Sequence, residues 1–264
     1  GGSPWSLPVN ASSCTENASS RRVVDSMGTA KDQEWAAAVH RTRRARIAYG
    51  LTRRIVRSLL VPWLRVQHRG IEKLGTPGPV IVAPVHRSNL DGPLVASLTP
   101  RRIRALGKHS LFRNPVAAWV MAALGTIPVH RGEADREAMR VARDIVGGGE
   151  LMIVFPEGTR QSGRTVDGMF DGVAYLASKT GAQIIPVGLA GTEQAMGSGS
   201  RGIRRVRCAV VVGDPIPAPE GRLSRPALTA FSERVRADPA TGLRRSERAT
   251  RRLRKRIGEE CSTV

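Results

Sequence analysis

Short apolar runs fenced by glycine or proline, and separated by helix-patterned stretches, confine this chain to an alternating β/α architecture. The runs fall at Val80–Pro84, Ile103–Leu106, Thr126–Val129, Leu151–Phe155, Gln183–Leu189 and Val206–Val212. Helical segments lie between several of them, at Pro93–Ser97, Pro115–Leu124, Glu133–Val146 and Gly172–Thr180. Alternation of this kind predicts an α/β fold with a mostly parallel central sheet flanked by helices. With 264 residues, 41% of them hydrophobic, the chain can bury one sizeable core of that kind.

The flanks read differently. Residues 1–35 are rich in Gly, Ser, Asn and Thr without apolar periodicity, and are expected to be disordered. Residues 36–66 turn helical. Ile47, Leu51, Ile55, Leu59 and Trp63 recur every four residues on one face, and Arg43, Arg46, Arg53, Arg54 and Arg57 occupy the opposite arc. That pattern suits amphipathic helices lying in a membrane interface. It equally suits a helix packed on the domain with its charged face in solvent. Gly50 and Pro62 are expected to divide or kink the segment. Residues 67–218 hold the alternating core. Residues 219–264 form a basic extension with helices expected at Arg225–Ala237 and Gly242–Ile257. No apolar run approaches the roughly 18 residues that span a bilayer, so membrane contact is expected to be peripheral or monotopic.

Charge narrows the partners. The chain carries 42 basic and 22 acidic residues, a net charge of +20, which favours anionic membrane lipids or nucleic acid. Aromatic residues make up only 4%, so the stacking platforms of a single-strand nucleic-acid binder are missing and no nucleic acid is expected. Part of the arginine surplus is also what a composition rich in Ala, Gly and Val supplies with no function attached. Cys14, Cys208 and Cys261 stand far apart with no CxxC pairing, so neither a metal site nor a disulfide framework is suggested.

Four constellations carry candidate chemistry. His86-Arg-Ser-Asn-Leu-Asp91 follows the run Val80–Pro84, and strand ends in open α/β sheets are where ligands bind. His86 suits a general base, and Asp91 can reach back across a tight turn to fix its tautomer and stabilise the imidazolium. Taken alone, the same spacing also fits a loop histidine beside a helix-capping aspartate. Phe155-Pro-Glu157-Gly158-Thr159-Arg160 follows Leu151–Phe155. Gly158 lets backbone approach a ligand, and Arg160 can hold a phosphate or carboxylate in two hydrogen bonds. The third, Gly125–Arg131, places Arg131 just after a strand. The fourth, Ile185-Pro186-Val187, puts proline inside a strand, which implies an edge or a bulge.

In order and spacing these four segments resemble the motifs of the glycerol-phosphate/lysophosphatidate acyltransferase family. Gly107–Pro115 is similar to the family's stretch between its first and second motifs. The resemblance covers roughly residues 65–215. It implies that residues 67–218 are a catalytic acyltransferase domain, with acyl-CoA or acyl carrier protein as the thioester co-substrate and no bound cofactor. It implies that His86, oriented by Asp91, takes the proton from the acceptor hydroxyl, and that the acyl group passes directly to the sn-2 hydroxyl of lysophosphatidate. Lys108, Arg131 and Arg160 would hold the acceptor phosphate. Glu157, Gly158 and Thr159 would belong to the binding site, with Glu157 binding or scaffolding, and Pro186 would shape the pocket wall. The expected location is the cytoplasmic face of the cell membrane. Other acceptors, a different lysophospholipid or a lipoamino acid, stay open, as do thioester hydrolysis and a non-catalytic basic binding protein. One departure stands out: Asp171, just before Gly172, is an acid where the family commonly has a cation.

Overall fold

The computed structural model describes residues 31–129, 135–157, 171–197, 199–200, 202–219 and 224–237. Its strands are β1 (Gln67–Arg69), β2 (Val80–Pro84), β3 (Ile103–Lys108), β4 (Thr126–Val129), β5 (Leu151–Ile153), β6 (Gln183–Ala190) and β7 (Ala209–Val212). The helices are α1 (31–41), α2 (Arg43–Ile55), α3 (Val61–Trp63), α4 (Asp91–Leu98), α5 (Pro115–Ala123), α6 (Asp135–Gly147), α7 (Gly172–Thr180), α8 (Thr192–Ala195) and α9 (Arg225–Ala237). One sheet takes the order β1-β7-β6-β2-β5-β3-β4. Neighbours pair in parallel throughout except β6 with β7, so β1 and β7 run against the other five strands.

Alternation along the strands builds two core layers. Val80, Val82, Leu151, Ile153, Ile185 and Val187 cluster with Val95 and Leu98 of α4. Ile81, Ala83, Met152 and Ile184 face the other way, onto Ala142 and Val146 of α6, Leu176 and Ala177 of α7, and Phe231 of α9. Burial on both faces explains why β2 is apolar at every position. Each such side chain contributes roughly 1.5–3 kcal/mol by leaving water.

Most elements fall where the sequence pattern puts them; the differences have causes. β1 went unpredicted because its three residues are polar and exposed, and only its pairing with β7 at the sheet edge makes it a strand. Pro186 does mark a bulge. Between Val187↔Val212 and Ile184↔Ile216, two residues of β6 (Ile185 and Pro186) are matched by three of the partner segment (Gly213, Asp214 and Pro215), and the proline's missing amide falls at this break. The expected disorder to residue 35 ends earlier: 31–41 are helical, and the rest of that expectation lies outside the described residues. Gly50 sits inside α2 without breaking it. The break falls at Thr42, whose side chain caps α2 by accepting from the Ala45 amide. Ahead of Pro62 the chain widens into a π-helical turn, Val56–Leu60, relieving the clash a proline ring has with the carbonyl four residues back.

α1 lies along β4, the last strand of the sheet. Gln33 Nε2 donates to the Pro128 carbonyl at 3.2 Å, and Arg102 Nη2 donates to both Nδ1 and the carbonyl of His40, at 2.9 and 2.8 Å. Gly125, at φ 86°, sits where any Cβ would strike the Ile103 carbonyl and crowd the His40 ring. The helix thereby roofs an edge that would otherwise offer free backbone groups.

α2 packs on the domain through a narrow face. It buries Ala45 and Tyr49, and Tyr49 Oη accepts from the Ile103 amide at 3.1 Å. Ile47, Leu51, Ile55, Leu59 and Trp63 stay 48–67% exposed. α5 packs beside it and exposes Val116, Trp119 and Val120. The large apolar residues therefore stand in solvent, as do Arg43, Arg46, Arg54 and Arg57 beside them, and only Arg53 of that arc turns inward, to the carbonyls of Thr99 and Pro100 at 2.9 and 3.1 Å.

Candidate active site

The carboxyl ends of β2, β5, β3 and β4 share one edge of the sheet, because these strands are parallel. The first motif leaves that edge from β2. Residues 85–90 turn, and α4 begins at Asp91, whose carboxylate is fully buried. Asp91 Oδ2 accepts from the amides of Arg87 and Ser88, both at 2.6 Å, and lies 3.2 Å from Nδ1 of His86. A carboxylate can only accept, so Nδ1 carries the proton and Nε2 keeps its lone pair. The ring is 15% exposed and stacks on Phe155, centroids 3.9 Å apart with 23° between planes. Phe155 reaches it because β5 ends at Ile153, two residues earlier than expected, which frees Val154 and Phe155 to turn.

Glu157 ties the third motif to the first. Its Oε2 accepts from the His86 amide at 3.1 Å and from Arg87 Nη1 at 3.0 Å, with the carboxylate fully buried. Burial pushes its pKa up, against the opposing pull of Arg87. Oε1 of Glu157 and Oδ1 of Asp91 are buried with no hydrogen-bond partner among the described residues. Arg87 was not singled out from the sequence. Its partner lies 70 residues away, in the turn that follows another strand, so no local spacing could have revealed the pair.

The remaining support comes from α8. Ser88 Oγ donates to the Met196 carbonyl at 2.6 Å, and its own amide-facing lone pair takes the Leu90 N–H at 3.1 Å. Cys208 packs with Leu90 of the same loop and Leu94 of α4, and its thiol is pushed up to about 12 by burial and then by the Asp91 charge. That direction favours the neutral thiol over the thiolate.

Of the residues expected from the sequence, His86, Asp91 and Glu157 come together. Lys108 ends β3 at the same edge and is exposed, and Pro186 is buried in β6 opposite Ala83 of β2. Arg131, Gly158, Thr159 and Arg160 lie outside the described residues, as does the helix expected at 242–257. Asp171 accepts from Thr229 Oγ1 of α9 at 2.9 Å, a structural tie between two elements. Among the described residues no group of three or more His, Cys, Asp or Glu side chains could hold a metal ion.

Residues 65–190 match the family described as Acyltransferase. A chloroplastic 1-acyl-sn-glycerol-3-phosphate acyltransferase of Arabidopsis thaliana is 27% identical over 161 residues, 60% of this chain and 45% of the relative. The enzyme of that name from Borreliella burgdorferi is 33% identical over 144 residues, 51% of this chain and 55% of its own. A lyso-ornithine lipid O-acyltransferase of Pseudomonas aeruginosa is 29% identical over 113 residues, 42% of this chain and 43% of its own. The chain spans about half the length of the curated relatives it matches. The crystal structure of the 1-acyl-sn-glycerophosphate acyltransferase PlsC from Thermotoga maritima superposes with a TM-score of 0.63. It does so at 23% identity, covering 78% of this chain and 83% of that one, a likeness of fold.

Proposed function

This chain belongs to the acyltransferase family through residues 65–190, and from that premise we propose that it transfers a fatty acyl group from a thioester to the sn-2 hydroxyl of lysophosphatidate. The observation that carries the reading is the 3.2 Å contact between His86 Nδ1 and Asp91 Oδ2 at the carboxyl edge of the sheet. Nε2 of His86 takes the proton of the acceptor hydroxyl as that oxygen adds to the thioester carbonyl. The tetrahedral oxyanion collapses, the C–S bond breaks, and the imidazolium returns the proton to the departing thiolate. Asp91 meets the positive charge that His86 carries between these steps. Lys108, with Arg131 and Arg160, holds the acceptor phosphate and so keeps the hydroxyl beside the base. Acyl-CoA or acyl carrier protein supplies the thioester.

The acceptor is itself a membrane lipid, and the exposed stripe from Ile47 to Trp63 supports docking on a lipid surface from one side. Trp63 stands at the end of that stripe with the Arg205 guanidinium 5.5 Å from its ring centre, an amphipathic pair suited to the headgroup level. No helix among the described residues is long and apolar enough to cross a membrane. We place the reaction on the cytoplasmic face, where the thioester donors are.

A second acceptor class has one observation in its favour, the relative named for lyso-ornithine lipid. One experiment separates the readings: thiol release from a long-chain acyl-CoA or acyl carrier protein, with lysophosphatidate, lyso-ornithine lipid or no acceptor. Wild type should release thiol only with lysophosphatidate. His86→Ala should abolish release, and Asp91→Asn should lower kcat by roughly 1,000-fold or more. Preference for lyso-ornithine lipid would move the function to the second class. Release without any acceptor would make the protein a hydrolase.

A further inference from the structure

Arg87 is the residue in this site to which neither the sequence nor any comparison gives a role. It sits beside the base, its side chain is only 9% exposed, and it is turned away from solvent onto Glu157, whose side chain is 0% exposed. An ion pair this deep is costly to assemble and is poor evidence of stabilisation for its own sake. What the pair does here is geometric. The same carboxylate oxygen, Oε2, that takes Arg87 Nη1 at 3.0 Å also takes the backbone N–H of His86 at 3.1 Å. Arg87 closes the arrangement from its own main chain, since its amide donates to Asp91 Oδ2 at 2.6 Å. His86 is thus held at two points. Asp91 fixes its ring from inside the loop, and Glu157 fixes its backbone from the turn after β5.

We propose that Arg87 is a positioning residue of the transfer site: its guanidinium fastens Glu157, Glu157 holds the His86 amide, and the buried pair locks the catalytic loop of β2 to the turn that follows β5. The inference rests on the acyl-transfer reading for its consequence in rate, but the lock itself is a property of the loop. Without Arg87, the buried carboxylate would keep, among the described residues, no charged partner except the neighbouring His86 ring. It would then take up a proton rather than stay charged. Lysine can supply the charge at this position but not the planar fork, so it restores the pair only in part.

The test reads Glu157 directly. Glutamate side chains are labelled with 13C at Cδ, Glu157→Gln identifies the resonance, and its pH titration is followed in wild type, Arg87→Met and Arg87→Lys. Acyl transfer is measured across the same pH range, and cooperative thermal melting confirms that each variant is folded. In Arg87→Met the Glu157 midpoint should rise by about one pH unit or more, with Arg87→Lys between the two. The acid limb of kcat/KM should rise with it, and kcat should fall by up to roughly 100-fold with little change in KM. In Arg87→Met/Glu157→Gln the acid limb should return to that of Glu157→Gln alone. A Glu157 midpoint unmoved by Arg87→Met would overturn the proposal. So would a rise in KM with kcat intact, which would make Arg87 a substrate ligand instead. If wild type fails to acylate lysophosphatidate, the functional reading falls, and the resonance still decides whether the lock exists.

Discussion

His40 and His86 meet opposite electrostatic surroundings. His86 donates from Nδ1 to a carboxylate, so a proton taken up by its ring in the proposed reaction would face a negative charge. His40 instead receives Arg102 on Nδ1, lies 4% exposed on the inner side of α1, and is pulled from 6.5 to about 3 by burial, then by Arg104 and Arg102. The folded chain therefore keeps His40 neutral where the unfolded chain protonates it. Below pH 6.5 the unfolded state binds the extra proton, so stability falls as pH drops from 6.5 toward 3 and is untouched above 6.5. The slope is about 1.4 kcal/mol per pH unit. Urea unfolding of wild type and His40→Gln at pH 7.5, 6.5 and 5.0 checks this. The gap between the two should change by about 2 kcal/mol between 6.5 and 5.0, in the direction that penalises wild type. Parallel loss in both proteins would remove His40 from the account. At this scale the sequence was legible where chemistry is local. His86 and Asp91 are five positions apart and one turn joins them, whereas His40–Arg102 and Arg87–Glu157 are joined only by the fold.

At the level of elements, the alternating pattern located the buried strands because burial on both faces forces an apolar run. It missed β1 for the converse reason: an exposed edge strand of Gln, His and Arg has no apolar signature. The amphipathic pattern of 36–66 was visible, but a periodic stripe cannot say which face turns outward. The structure answers through the small side of α2, since Ala45 lets the helix sit close while the large apolar residues face out. Substitutions on that stripe should thus be nearly silent for folding and costly for lipid contact. Leu51→Ser/Leu59→Ser should leave the urea midpoint almost unchanged, within about 0.5 kcal/mol per site. It should weaken co-sedimentation with phospholipid vesicles by on the order of tenfold or more. A double variant that unfolds easily yet binds vesicles as wild type does would place the stripe inside the protein's own packing.

For the whole molecule, a net charge of +20 exceeds what folding needs, yet part of it is spent inside. Arg101 gathers the carbonyls of Thr76, Gly78 and Gly149, Arg53 those of Thr99 and Pro100, and Arg102 that of His40. Those forks belong to the frame and not to any partner. The arginines left at the surface should act at long range, so binding to vesicles rich in anionic lipid should fall several-fold as salt rises from about 50 to 500 mM. Binding to neutral vesicles, carried by the stripe, should hardly change. Equal salt sensitivity on both kinds of vesicle would mean the charge does not select the surface. The distribution of the forks has a consequence for how such a protein can change over generations. Arg101 and its neighbours stitch together the amino end of the sheet, at a distance from the loops that carry His86 and Glu157. The two ends are held by separate sets of bonds. Substitutions or insertions in the loops at the opposite end can therefore be absorbed without reopening the seam that keeps the strands in register.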